Sequence, residues 1–172
     1  PISHIWKGMK LREHPEYRSI CGMDASSGSM PLCWPFVAAA PLHKAALADR
    51  NFVIPALGIV HLSQEMEWLG EFNRSKPVDC VVTLGPSFPA RRGVDFEMRT
   101  VMSQDGADCW RARTRMWSPK GPGGGEKRAR IERLQLSNAE TSVLELPENL
   151  GRRYAAIAGD RNPIHQHAWL AR

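Results

Sequence analysis

The run CWRARTRMW at residues 109–117 alternates without a break. Successive strand side chains point to opposite faces, so Trp110, Ala112, Thr114 and Met116 share one side and Arg111, Arg113 and Arg115 the other. The segment reads as a sheet strand with one dry side and one wet side.

Two further runs, VDCVVTL from Val78 and FEMRTVMSQ from Phe96, have the β-branched and aromatic content and the period-two character of strands. After Asn51, VIPALGIVHLSQEMEWL sets His61, Ser63, Glu65 and Glu67 against Leu62, Gln64, Met66 and Trp68, as in a half-exposed strand. Ahead of the strands, Pro35 to Asp49 reads PFVAAAPLHKAALAD, which predicts a helix buried on most sides. Pro41 should kink it or mark the start of its regular part. Residues up to Met30 are expected to form an irregular arm. Ser118 to Arg130, with three consecutive glycines and a basic cluster, is expected to be a linker or long hairpin loop, and IERLQL after it one more strand. A helix followed by antiparallel strands describes an α+β unit whose sheet wraps a central helix.

A length of 172 residues allows one domain with a full core plus a piece of another. No apolar run approaches the ~20 residues that a membrane-spanning helix needs, so no membrane role is expected. Pro1 to Lys10 has no secretory core and no initiator Met, which implies a chain that is trimmed, processed or started within a gene. The cysteines at 21, 33, 80 and 109 form no C-x-x-C pair. That spacing points to neither a zinc site nor a redox motif, and to reduced thiols in a cytoplasm. The net charge of +5 would suit a phosphate-bearing partner, but so modest a basic excess is read first as solubility. Nucleic-acid binding is not expected, because the basic residues are not interleaved with aromatics in a known module.

The segment YAAIAGDRNPIHQHAWLAR, residues 154–172, carries the chemistry. Asp160 and His165 are five apart, which opposes them on a strand and separates them by roughly 140° on a helix. They meet only if the chain turns between them. Gly159 permits an unusual backbone angle, and Pro163 fixes its own φ and extends Asn162. Asn162 then reads as a helix N-cap with Pro163 at the first helical position, placing His165 in the first turn. The positive end of the helix dipole would keep that imidazole neutral and basic. A carboxylate and a neutral imidazole facing one gap can hold and polarise water as general acid and base.

This segment resembles the signature of the (R)-specific enoyl-CoA hydratase and MaoC-like dehydratase family: Tyr, small apolar residues, then Gly-Asp-x-Asn-Pro-aliphatic-His. Gly159, Asp160, Asn162, Pro163, Ile164 and His165 match it in place. Upstream, LCWPFVAAAPLHKAALADRNFVIPALGIVHLSQEMEW is similar to the first half of the two-hotdog members. The resemblance implies a double hotdog: a noncatalytic N-terminal hotdog over residues 1–140, with its linker at 118–130, and at 141–172 the start of a C-terminal hotdog that is incomplete. It implies syn addition of water to a trans-2-enoyl thioester on coenzyme A or acyl carrier protein, or the reverse dehydration. Asp160 and His165 would be the catalytic pair, with Gly159, Asn162 and Pro163 supporting the loop. No cofactor or metal is implied. The partners would be the acyl thioester and other hotdog units, in a homo- or hetero-oligomer. The family's oxyanion donor follows the second central helix, whereas this sequence stops at Arg172. The remainder is expected from a longer polypeptide or another chain.

Blander readings stand beside these. A noncatalytic hotdog subunit that binds an acyl thioester or completes a partner chain is the alternative to the enzyme. His43 and His61 are read as core or strand histidines, and His167 as a surface or packing residue. The row Arg111, Arg113 and Arg115 is read as a solvated strand face, with coenzyme A phosphates or a partner subunit as the other option. Lys127, Arg128 and Arg130 are read as a solvated linker that could meet an acidic carrier. Trp34, Trp68, Trp110 and Trp117 are expected in the core or an interface.

Overall fold

A computed structural model of the chain describes residues 1–90, 92–120, 140–160 and 162. In chain order the described elements are β1 (Ile2–Met9), α1 (Tyr17–Ile20), α2 (Trp34–Ala38), α3 (Ala40–Leu47), β2 (Val60–Trp68), β3 (Val78–Pro89), β4 (Val94–Gln104), β5 (Ala107–Ser118) and α4 (Leu150–Ala158). The strands form one sheet in the order β1-β3-β4-β5-β2, with every neighbouring pair antiparallel. The β4–β5 hairpin turns at Asp105 and Gly106, where φ is +50° and +82°. Two successive positive φ values suit the right-handed twist of the flanking strands, and Asp-Gly adopts them readily.

Strand alternation builds the core. Val78, Cys80, Val82 and Leu84 of β3, Phe96, Met98, Thr100 and Met102 of β4, and Trp110, Ala112, Thr114 and Met116 of β5 are all buried on one face. Full burial of each large side chain stabilises by about 1.5–3 kcal/mol, so this face supplies most of the driving force. The helix α3 lies against it, packed on β1 and β3.

The other face is charged and internally balanced. Glu65 of β2 pairs with Arg113 at 2.7 Å, and Glu67 with Arg111. On β4, Glu97 lies 2.5 Å from Arg99 and 3.9 Å from Arg113, and Asp95 lies 3.9 Å from Arg115. The β2–β5 register sets Glu65 opposite Arg113 and Glu67 opposite Arg111, while Asp95 and Glu97 reach their β5 arginines diagonally, so the pairing follows from alternation on one shared face.

Several expectations need correction. The first thirty residues are not an irregular arm: β1 pairs with β3, and α1 packs through Tyr17 against Trp34, with ring centroids 4.9 Å apart. The run ISHIWKGM hid its strand because β1 is an edge, buried only at Met9 and partly at Ile2 and His4. The predicted helix over 35–49 is two helices meeting at Ala39, with Pro41 in the first turn of the second. It is not buried on most sides. Only Ala39, His43 and Ala46 of the second helix and its junction are buried, because the helix rests on the sheet by one face. Trp34 and Trp110 are buried, whereas Trp68 and Trp117 are half-buried. The IERLQL strand, most of the Gly-rich linker and its basic cluster lie outside the described residues.

Candidate active site

The motif is approached through α4. This helix buries Ala155 and lays Tyr154 and Ile157 against the core. The rings of Tyr154 and Tyr17 are 6.4 Å apart, so α4 docks on α1, within the first sheet-and-helix unit. The helix stops at Gly159, whose φ is +64°. A left-handed residue there ends the helix and swings the chain away, and glycine adopts it without a Cβ penalty.

Asp160 follows that turn. Its Oδ1 accepts the backbone N–H of Asn162 at 3.2 Å, a side-chain turn that bends the chain after the helix. The carbonyl of Gly159 accepts the ammonium of Lys44 at 2.5 Å. Asp160 also lines a cavity of about 710 Å³. Its walls are largely apolar, with Ile20 from α1, Leu144 and Leu146 from the irregular segment before α4, and Leu150 and Ala155 from α4 itself.

Protonated groups gather at the same place. Burial pushes the phenol of Tyr17 up, as do Cys21 and Tyr154 nearby. Burial likewise raises Tyr154, with contributions from Cys21, Cys33 and Asp160. Cys21, on the cavity wall, is raised chiefly by burial. These groups stay neutral near pH 7. Tyr154 and Cys21 thus bring a hydroxyl and a thiol, rather than charge, to the cavity wall.

Of the motif residues, the structure places Gly159, Asp160 and Asn162 together at this turn. Pro163, His165 and His167 lie outside the described residues. His43 is buried in the core, 2.9 Å from the hydroxyl of Thr100, and burial lowers its pKa to about 4. His61 sits on the exposed β2 strand, 3.1 Å from the Ser63 carbonyl. A separate hollow of about 630 Å³, walled by Ile2, Phe52, Ile54, Leu84 and Phe96, contains none of the motif residues. Among the described residues no three of His, Cys, Asp or Glu stand together as a metal site, and all four cysteines are free. No described helix is long and apolar enough to cross a membrane. Lys44 and Tyr17 were not singled out from the sequence, since nothing in their local pattern indicates contacts with elements so far along the chain.

No protein-family model matches the sequence, and no curated protein does. Solved structures do. HtdX of Mycobacterium tuberculosis superposes with a TM-score of 0.74 at 20% identity, covering 99% of this chain and 66% of its own. The MaoC-like dehydratase from Phytophthora capsici gives a TM-score of 0.66 at 13% identity, over 98% of this chain and 64% of that one. The fold is that of the MaoC-like hotdog proteins. A broader likeness extends to peroxisomal multifunctional enzyme type 2 from Drosophila melanogaster, with a TM-score of 0.54 and 12% identity over 99% of this chain and 32% of that one. At these identities the shared property is the hotdog architecture. The chain spans about two thirds of the length of HtdX and slightly less of the Phytophthora protein.

Proposed function

We propose that this hotdog chain carries the water-activating pair of an (R)-specific enoyl-thioester hydratase, running in either direction. The observation that carries the reading is Asp160, set by a left-handed glycine turn at the wall of a largely apolar cavity of about 710 Å³. An apolar hollow suits an acyl chain, and a carboxylate at its wall suits the polar carbons beside a thioester.

In this reading water adds across a trans-2-enoyl thioester on coenzyme A or acyl carrier protein. The oxygen bonds to C3 and a proton is delivered to C2 on the same face, giving an (R)-3-hydroxyacyl thioester. Asp160 and His165 together take a proton from water and return one to carbon. Asn162, through its backbone donor to Asp160, and Gly159 and Pro163, through the shape of the turn, hold the pair. Negative charge developing on the thioester oxygen calls for preorganised N–H donors. In this reading those donors belong to the assembled site, in a cytoplasmic oligomer of hotdog units. The reaction changes no oxidation state, so it asks for no redox cofactor.

The exposure of Leu144 and Leu146, at 81% and 61%, favours a second reading. There the chain is a noncatalytic hotdog subunit that binds an acyl thioester or completes a partner chain. One experiment separates them: loss of enoyl-thioester absorbance, compared among the unsubstituted chain, Asp160→Asn and His165→Ala. The enzyme reading expects a fall in rate of at least about a hundredfold in either variant. Equal rates in all three would remove it.

A further inference from the structure

Lys44 and Gly159 are 115 residues apart in sequence, yet the ammonium of one donates to the carbonyl of the other at 2.5 Å. The two ends of this contact differ in character. Lys44 stands on α3, a helix fastened to the sheet on both sides of it. Its neighbour His43 meets Thr100 of β4 at 2.9 Å, and Asp49, just past the helix, meets His4 of β1 at 3.0 Å. Gly159 is the left-handed stop of α4, a helix that rests on the first unit mainly through Tyr154, Ala155 and Ile157.

The carbonyl that Lys44 holds belongs to the peptide unit between Gly159 and Asp160. That unit is planar, so fixing its oxygen also fixes the N–H and Cα of Asp160. A cation at this point also suits the end of α4, where the final carbonyls lack intrahelical partners and the helix dipole is negative. A hydrogen bond from an ionised donor is stronger than a neutral one.

We infer that Lys44 is a positioning residue for Asp160. It references the turn that bears the carboxylate to the central helix of the first hotdog, and so sets where that carboxylate meets the cavity. This rests on the hydratase reading insofar as Asp160 is catalytic. Displacing a reacting group by about 1 Å can cost about a hundredfold in rate, so a tether of this kind has a kinetic signature.

The test uses the full chain with Lys44→Met and Lys44→Arg. Lys44→Met is expected to lower kcat about tenfold with KM changed less than about twofold, while Lys44→Arg recovers most of the loss, because the longer cation can still reach the carbonyl. Hydrogen exchange is expected to run about tenfold faster at the amides of Asp160 and Asn162 in Lys44→Met, with the β4 amides unchanged. A kcat equal to that of the unsubstituted chain, or unaltered exchange at Asp160 and Asn162, would overturn the inference. Absence of turnover in the unsubstituted chain, assayed together with the hotdog unit that supplies the N–H donors, would instead remove the hydratase reading. The exchange comparison then still decides the tether, since it needs no activity.

Discussion

Nε2 of His43 and the hydroxyl of Thr100 share a 2.9 Å hydrogen bond in the buried centre of the fold, fastening α3 to the middle strand of the sheet. Burial holds the His43 pKa at about 4 against 6.5 for a free imidazole. Between those values the unfolded chain binds a proton that the folded chain does not. Stability from this group is therefore complete above about pH 6.5 and lost as pH falls towards 4, by about 3 kcal/mol in all. Urea denaturation at pH 7.5 and pH 4.5 should show most of that loss in the unsubstituted chain. His43→Gln, which keeps a polar partner for Thr100 and removes the titration, should show a smaller pH dependence.

The two buried tryptophans among the described residues differ in one bond. Trp110 donates its indole N–H to the Leu32 carbonyl at 3.0 Å, joining β5 to the loop before α2. The indole nitrogen of Trp34 is buried without a partner among the described residues. Replacement by Phe removes similar apolar area at both sites, but at 110 it also strips a hydrogen bond. Trp110→Phe is expected to destabilise by about 1–2 kcal/mol more than Trp34→Phe in chemical denaturation. Equal costs would show that the Leu32 bond adds nothing.

How far the sequence discloses this architecture follows from how each element is buried. The strands β3, β4 and β5 have neighbours on both edges and one face on the core, so their alternation is written in their residues. The edge strand β1 has less to bury and carries almost no period, and α1 is a single turn held by Tyr17. Pro41 disclosed the break between α2 and α3, because a proline belongs at the start of a helix rather than inside it. At the candidate site, Gly159 and Asp160 could be singled out from a local motif. The Lys44 contact could not, since a tether spanning 115 residues leaves no local spacing to read.

The arginine row bears on how a thioester could be held. Arg111 and Arg113 face Glu67 and Glu65 across β2, and Arg115 faces Asp95 on β4. Side-chain bonding to Glu65, then its charge, raises the Arg113 pKa, and Arg113 correspondingly lowers Glu65. A phosphate arriving on this face would have to displace carboxylates already in place. The double variant Arg111→Gln, Arg113→Gln is therefore expected to leave KM for a coenzyme A thioester within about twofold of the unsubstituted value. A rise of tenfold or more would reassign the face to cofactor-phosphate binding.

Gly159 offers a test of the turn independent of any catalytic role. At φ +64° a side chain strains the backbone, while a Cβ built there would meet only the Lys44 ammonium at 3.7 Å, an ordinary contact. The cost of Gly159→Ala is thus conformational rather than steric, about 1 kcal/mol. Asn tolerates the left-handed region better than Ala, so Gly159→Asn should cost less. Urea denaturation should rank the three as Gly, Asn, Ala in falling stability, with faster amide exchange in the last turn of α4 in the Ala variant. Should Ala match Gly in both measurements, the helix would not depend on a left-handed stop, and the route by which α4 delivers Asp160 to the cavity would need a different origin.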